Sequence, residues 1–168
     1  MASSKKRPAG RIVSRSAARN DFERRRGRCS HSSKGGVQID AIDAGGNFSQ
    51  RGDANKIVRQ ILHGLADESA CIISSANGTF VDLAEASAIE KELPRAALYG
   101  PKSALGESVG ASAIWQTIVG AEALRTGQLP QMSRPSSDPS VERKLACTKA
   151  IVLSCGLNQQ AAGLRLSI

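Results

Sequence analysis

The feature that most constrains the fold is a long apolar stretch from Val109 to Leu124, which leaves little room for a polar stripe. A helix that is apolar on all sides is normally buried on all sides. Gly127 and Pro130 follow the stretch and predict where the helix ends. One thin layer of structure cannot bury such a helix, so the sequence predicts that it lies at the centre of something larger.

The rest of the folded chain alternates between strand-like and helix-like patterns. Short apolar runs predict strands, and apolar residues three or four positions apart predict helices. The predicted order is strand, helix, strand, helix, strand, the apolar helix, and two closing strands. The predicted strands are 37–41, 70–74, 96–99, 150–154 and 163–168, and the two earlier helices are 54–65 and 82–93.

Local signals add detail to these elements. The sequence Gly45-Gly46-Asn47 predicts a break after the first strand. Asp53 is predicted as the N-cap of the first helix. The predicted inward face of the second helix consists of Leu83, Ala86, Ile89 and Leu93.

The positive charge of the chain is concentrated near its beginning. The chain carries 23 Lys and Arg against 15 Asp and Glu, a net charge of +8. Residues 1–34 hold 11 of the basic residues and two of the acids, which leaves residues 35–168 with 12 and 13. We interpret residues 1–34 as a basic, disordered tail and residues 35–168 as the folded domain.

Two other interpretations of the tail stay open. The cluster Arg24–Arg28 could neutralise phosphates on nucleic acid, but no aromatic platform accompanies it, so we do not favour this reading. The first twenty residues contain no acid, and Arg11, Arg15 and Arg19 recur every four positions, as in an organellar targeting peptide.

Composition also bears on compartment and cofactors. No apolar run approaches the roughly 18 residues that a membrane span needs, and no secretory segment is visible. The cysteines show no C-x-x-C spacing and the histidines do not cluster with them. We therefore predict a reduced, cytoplasmic protein without a metal, a cofactor or a membrane partner. The cysteines are Cys29, Cys71, Cys147 and Cys155, and the histidines are His31 and His63.

The segment around the apolar helix carries an ordered motif. It consists of Lys102, Ser103, Gly106, Glu107, Gly110 and Ala111 before the helix, and Arg125, Gly127, Leu129 and Pro130 at its end. This order resembles the C-terminal half of the β-ketoacyl synthases, members of the thiolase-like superfamily. Where that family has a histidine after the first glycine, this chain has Glu107.

The resemblance extends over residues 37–168. The run Asn77-Gly78-Thr79, then Asp82 and Glu85, is similar to the family's histidine-glycine-threonine turn and the helix start after it, with Asn77 at the place of the histidine. The closing pair of strands is similar to a family hairpin, but Cys155 stands where the family has a phenylalanine. The chain is therefore identified as a degenerate, truncated C-terminal half of a β-ketoacyl synthase.

The resemblance implies a fold as well as a family. It implies half of a thiolase-like α/β fold, with a mixed, mostly parallel sheet and helices on its faces. In a whole ketosynthase two such halves pack around central helices, one of which corresponds to Val109–Leu124. In a lone half the outer face of this helix would meet water, and soluble monomers rarely expose a large apolar patch. We therefore expect a partner.

The resemblance also implies three site positions, Asn77, Lys102 and Glu107. In the family, a cysteine of the N-terminal half attacks the acyl group, and two histidines stabilise the enolate. Asn77 can donate one hydrogen bond but cannot carry a proton, and the Glu107 carboxylate has only acceptors and would repel an enolate. We expect Lys102 to pair with Glu107. Neither Cys71 nor Cys155 has a histidine nearby in sequence, so we expect no condensation by this chain alone.

Three hypotheses of function follow. The first is a β-ketoacyl synthase-like protein of fatty acid or polyketide biosynthesis that is a pseudoenzyme and acts as an auxiliary or dimerising subunit. Its partners would be an acyl carrier protein and a ketosynthase subunit or a second copy. The second is an acyltransferase, a 3-oxoacyl-[acyl-carrier-protein] synthase completed by a chain that supplies the cysteine half. The third is a nucleic-acid-binding protein that acts through residues 1–34.

Overall fold

We describe a computed structural model of the chain, which covers residues 36–129, 147–156 and 158–168. The predicted basic tail and the residues that follow Leu129 up to 146 lie outside the described residues, so the proposed domain boundary stays a prediction. Five strands and four helices are present in this part of the chain. The strands are β1 (Gln38–Asn47), β2 (Ala70–Ile73), β3 (Leu98–Tyr99), β4 (Lys149–Cys155) and β5 (Gln160–Ser167). The helices are α1 (Arg51–Leu65), α2 (Val81–Glu92), α3 (Lys102–Leu105) and α4 (Ser112–Thr126).

The strands form one mixed sheet in the order β1-β5-β4-β2-β3. The mixed α/β architecture predicted from the sequence is confirmed. The parallel part consists of β4, β2 and β3, whereas β5 is antiparallel to both of its neighbours. Two of the four pairings are thus parallel and two are antiparallel.

Helices cover both faces of this sheet. Ile72 and Ile151 pack with α1 and α2 in one apolar cluster, whereas Ile73 and Val152 pack with Leu124 of α4 in another. Because successive strand residues point to opposite faces, the two clusters lie on opposite sides of the sheet. The α4 helix therefore packs against one face of the sheet.

Several predicted boundaries need correction. Helix α1 begins at Arg51 after Gln50, so Asp53 lies in its first turn and is not its N-cap. Strand β1 does not break at the glycines but continues to Asn47 with a register shift. Gly45 makes this possible with a φ of +58°, a conformation that side-chain-bearing residues rarely adopt.

The predicted inward face of α2 is wrong for Leu83 and Ala86, which are exposed. The face that packs is made by Val81, Ala84, Glu85, Ala88 and Ile89. These positions follow the i, i+3, i+4, i+7, i+8 pattern of a buried helix face, but one of them is a glutamate. The α3 helix was not predicted. Among the described residues, no helix has both the length and the apolar character needed to cross a membrane.

Candidate functional site

The three predicted site residues come together at one edge of the sheet. Asn77 follows β2, and Lys102 opens α3 directly after β3. Because β2 and β3 are parallel neighbours, the chain leaves both of them at the same edge. Glu107 lies in the loop between α3 and α4, opposite both residues.

Glu107 is the centre of this site. Its Oε2 accepts hydrogen bonds from Asn77 Nδ2 at 2.6 Å and from Lys102 Nζ at 2.7 Å. Its Oε1 accepts one from Ser112 Oγ at 2.5 Å. The predicted pairing of Lys102 with Glu107 is confirmed. We name the set Asn77, Lys102, Glu107 and Ser112 the carboxylate cluster.

The charges in the carboxylate cluster are fixed by these contacts. Burial alone would raise the pKa of Glu107, but the hydrogen bonds from Lys102, Ser112 and Asn77 outweigh it and lower the pKa to about 2. The Lys102 side chain is only 4% exposed, so its ammonium group depends on Glu107 for a partner of opposite charge. At neutral pH the cluster therefore holds an ion pair.

A second carboxylate, Glu85, lies deeper in the protein. It is 1% exposed. It accepts hydrogen bonds from Ser74 Oγ at 2.6 Å and from the Ser75 backbone N–H at 2.9 Å, and a further one from the Ser75 hydroxyl. An Asp-x-x-Glu pattern at the start of a helix, here Asp82 and Glu85, is typical of capping. Glu85 instead ties α2 to the end of β2.

Asp82 organises the turn that carries Asn77. Its two carboxylate oxygens accept hydrogen bonds from the backbone N–H groups of Asn77 at 3.2 Å and Gly78 at 2.8 Å. The residue before the first turn of α2 is Phe80, so Asp82 is not the N-cap. Its role is to hold the loop in a shape that points Asn77 at Glu107.

The buried cysteines are not activated. Burial, and secondarily the negative charge of Glu85, raises the pKa of the Cys155 thiol to about 12. Burial, and then the neighbouring Cys147, raises the pKa of Cys71 to about 12 as well. Both thiols are therefore protonated at neutral pH, whereas the nucleophile of an acyl transfer must be a thiolate.

Sequence reasoning missed Gln116. This residue is polar but lies within the long apolar stretch, and it is only 1% exposed. Its Nε2 donates hydrogen bonds to the carbonyl oxygens of Ser74 and Leu153, both at 2.8 Å. Within the described part of the chain, its Oε1 has no hydrogen-bond partner. A polar residue inside an apolar helix was the signal that could have identified it.

A cavity of about 210 Å³ lies beside the carboxylate cluster. Lys102 and Gln116 line it together with Leu105 and Trp115. Its position between α3 and the first turns of α4 places the Lys102 side chain at its wall. Among the described residues, no three His, Cys, Asp or Glu side chains approach closely enough to hold a metal ion.

The outer face of α4 is apolar and exposed. Ile114, Trp115 and Ile118 are 62%, 53% and 46% exposed, and Val109 before the helix is 90% exposed. The prediction that the outer face of this helix meets water in the isolated chain is confirmed. We name Ile114, Trp115 and Ile118 the α4 apolar face.

Similarity to curated proteins supports the resemblance over part of the chain. No family model matches the sequence. A stretch of 78 residues is 44% identical to the 3-oxoacyl-[acyl-carrier-protein] synthase 2 of Mycobacterium leprae (strain TN), and it covers 44% of this chain and 19% of that protein. The match thus spans about a fifth of the length of the curated relative.

Solved structures share the fold over most of the chain. A type II polyketide synthase ketosynthase, in complex with its acyl-carrier protein, superposes on 78% of this chain with a TM-score of 0.56 and 11% identity. The ishigamide ketosynthase/chain length factor superposes on 79% with a TM-score of 0.53 and 24% identity. These matches cover 33% and 36% of the respective chains.

An oxazolomycin ketosynthase domain from Streptomyces albus JA3453 gives the same result. It superposes on 79% of this chain with a TM-score of 0.53 and 20% identity, and the match covers 42% of that domain. The recognition made from the motifs is thereby confirmed: the chain corresponds in fold, and over 78 residues in sequence, to part of a β-ketoacyl synthase.

Proposed function

We propose that the chain is a ketosynthase-like subunit of fatty acid or polyketide biosynthesis that does not catalyse condensation by itself. It acts by pairing with a ketosynthase-type chain through the α4 apolar face. An acyl carrier protein would reach the complex through that partner. The single observation that supports this most is the state of Glu107, whose carboxylate is held by Asn77, Lys102 and Ser112.

The carboxylate cluster is chemically unsuited to stabilise an enolate. An enolate oxygen needs hydrogen-bond donors aimed at it before it forms. The donors available in the cluster, the Asn77 amide and the Lys102 ammonium, already point at Glu107. A second anion beside Glu107 would be repelled, because this carboxylate stays ionised down to a pH of about 2.

The α4 apolar face supports the pairing. Its three residues lie on the side of the helix opposite Gln116 and Gly120, which face the sheet. Exposed apolar residues that follow the helical repeat mark a surface that another protein covers. The similar structures offer a precedent for pairing with another chain, since one is a ketosynthase/chain length factor and another holds a ketosynthase with an acyl-carrier protein.

The pairing can be tested with two matched substitutions. Ile114 and Leu83 are 62% and 65% exposed, but only Ile114 belongs to the α4 apolar face. Tagged chains carrying Ile114→Asp or Leu83→Asp are purified from their own cells beside the parent chain. We expect a ketosynthase-sized subunit to copurify in fixed ratio with the parent and with Leu83→Asp.

Ile114→Asp should weaken that complex by roughly tenfold or more, which is about 1.4 kcal/mol. Equal recovery with both variants would show that the α4 apolar face is not the interface. A parent chain that elutes alone would contradict the whole proposal.

The completed acyltransferase is the alternative that the same complex can test. The purified complex is assayed for condensation of acyl and malonyl groups carried on acyl carrier protein, with the parent chain and with the double substitution Asn77→His and Glu107→His. We expect the parent chain to contribute no activity above that of the partner alone. If the complex with the parent chain is instead more active than the partner alone, and the single substitution Lys102→Ala removes that extra activity, the site has a catalytic role.

A further inference from the structure

The Glu107 carboxylate is held in the way that a protein holds a bound carboxylate ion. Its Oε2 accepts hydrogen bonds from the Asn77 amide and the Lys102 ammonium, and its Oε1 accepts one from the Ser112 hydroxyl. The three donor–acceptor distances lie between 2.5 and 2.7 Å. A cation and neutral donors that converge on one small volume are the usual means of binding a small anion. Glu107 therefore acts as an internal ligand of these three groups.

The three donors are positioned by contacts of their own. Asp82 fixes the turn that carries Asn77 through hydrogen bonds to the backbone. Lys102 is the first residue of α3, and its side chain is only 4% exposed. Ser112 is the first residue of α4, which packs against one face of the sheet. We therefore expect the donors to keep their positions when the Glu107 side chain is absent.

The segment that carries Glu107 is packed more loosely than the donors. Among the described residues, a Cβ added at Gly106 or at Gly110 would meet no atom within 4 Å. The cavity of about 210 Å³ is lined by two of the donor residues, Lys102 and Ser112. An external carboxylate therefore has space beside the donors once the Glu107 side chain is removed.

We propose that Asn77, Lys102 and Ser112 form a binding site for a small carboxylate ion, which Glu107 fills from within the chain. In the parent chain the site is closed to external anions, because Glu107 holds the donors and repels a second negative charge. Without the Glu107 side chain, the buried Lys102 ammonium loses its partner of opposite charge. An acetate ion can then take the place of the lost carboxylate. This inference concerns the chain by itself and does not depend on the proposed pairing.

The test is the rescue of Glu107→Ala by acetate. Alanine keeps Cβ and removes the CH₂–COO⁻ group, which acetate matches in size and charge. The free energy of unfolding of the full chain is measured in urea at pH 7, in sodium acetate and in sodium chloride of equal ionic strength. Trp115, which lines the same cavity, is the fluorescent reporter.

Two controls separate site binding from general effects of the salt. The parent chain shows how acetate changes the stability when the site is filled. Glu122→Ala removes another glutamate that pairs with a cation, since Glu122 contacts Arg125 at 2.6 Å, but both of these side chains are largely exposed. The double substitution Glu107→Ala and Lys102→Met removes the cation of the proposed site and keeps a long side chain in its place.

Acetate should stabilise Glu107→Ala in a saturable way, with half-saturation at roughly 1–100 mM, as expected for an ion of so few atoms. At ten times the half-saturating concentration, the equilibrium constant of folding should be about elevenfold higher than in chloride. We expect no saturable gain in the parent chain, in Glu122→Ala or in the double variant.

Equal gains in Glu107→Ala, Glu122→Ala and the parent chain would overturn the proposal, because acetate would then act only as a general stabilising salt. A saturable gain that persists in the double variant would also overturn it. If Glu107→Ala is unfolded in chloride, acetate should restore the fluorescence and the circular dichroism of the folded chain. A variant that stays unfolded in both salts would contradict the proposed site.

Discussion

Replacing Gln116 with methionine tests how α4 is held on the sheet. Methionine keeps the length of the side chain but removes both N–H donors and the carbonyl oxygen. The two lost hydrogen bonds join α4 to Ser74 at the end of β2 and to Leu153 of β4. The substitution therefore separates the polar contribution of this residue from its packing.

The expected magnitude follows from the contacts. A buried carbonyl that loses its donor costs about 1–3 kcal/mol, so the two losses together cost about 4 kcal/mol. Methionine also removes Oε1, which has no partner in the described residues, and this returns about 1–2 kcal/mol. The free energy of unfolding should fall by about 2–3 kcal/mol, a large part of the roughly 5–15 kcal/mol of a typical domain.

Urea unfolding measures this change with a convenient local reporter. Trp115 is the one tryptophan of the chain, and it precedes Gln116 in α4. Its fluorescence reports on the release of α4, and far-UV circular dichroism reports on the whole chain. For a slope of about 1.5–2 kcal/mol per molar urea, the midpoint should fall by roughly 1–2 M.

The matched control is the same substitution at Gln128, which is exposed and follows α4. We expect Gln128→Met to change the free energy of unfolding by less than about 0.5 kcal/mol. If Gln116→Met behaves like Gln128→Met, the two carbonyl contacts do not hold α4, and the role assigned to Gln116 is refuted.

Two further predictions concern the cluster and the sheet. Glu107 has a folded pKa below its ordinary value, so its contribution to stability is present above a pH of about 4.5 and is lost as the pH falls towards 2. Glu107→Gln should lower the free energy of unfolding by about 1 kcal/mol at pH 7, since the site is partly exposed, and in urea titrations the difference should shrink as the pH falls from about 4.5 towards 2. Gly45→Ala should destabilise by more than about 2 kcal/mol, because its Cβ would lie 2.0 Å from the Ala161 carbonyl oxygen at a positive φ. A Cβ added at Gly52 would have no neighbour within 4 Å, so Gly52→Ala should be neutral or stabilising in thermal unfolding. Equal effects at the two glycines would contradict the packing argument.

Local patterns predicted most of the secondary structure because they depend on residues close in sequence. The run Ala70–Ile73 is a strand with every residue buried, and Gly127 ends α4 with a φ of +67°. The boundary errors arise where tertiary contacts decide. Strand β1 continues through Gly45 because β5 pairs with residues on both sides of it, and no local signal contains that information.

The orientation of α2 shows why its inward face was predicted wrongly. The apolar residues of this helix are spread around its axis, so hydrophobicity alone does not select a face. Glu85 is turned inward because Ser74 and Ser75 offer it donors at the end of β2. Leu83 is thereby left at the surface, 65% exposed. The hydrogen bonds that Glu85 accepts from outside the helix therefore outweigh the burial of Leu83, and the pattern of apolar residues along a helix does not reveal such bonds.

The sequence predicted the positions of three residues of the candidate site, but not the full set of hydrogen bonds among them. The motif order placed Asn77, Lys102 and Glu107 near one another, and charge alone predicted the ion pair. Ser112 could not be chosen from the sequence, because its hydroxyl is one of many near a helix start. It becomes part of the site only because α4 begins there and brings its Oγ to Glu107 Oε1.

The distribution of residues on α4 argues that this helix is only half covered in the isolated chain. Its buried residues are Gln116, Gly120, Ala123 and Leu124, of which only Leu124 is a large apolar residue. Ile114, Trp115 and Ile118 lie on its exposed side. A surface helix normally shows the opposite arrangement, with its large apolar residues facing the core. Gln116 replaces part of that missing apolar contact by hydrogen-bonding to the sheet, and the Cβ that Gly120 lacks would lie within 3.2–3.4 Å of side chains from three strands. The helix can therefore approach the sheet closely with its small side, while its large apolar side meets water and is the side that the proposed partner would cover.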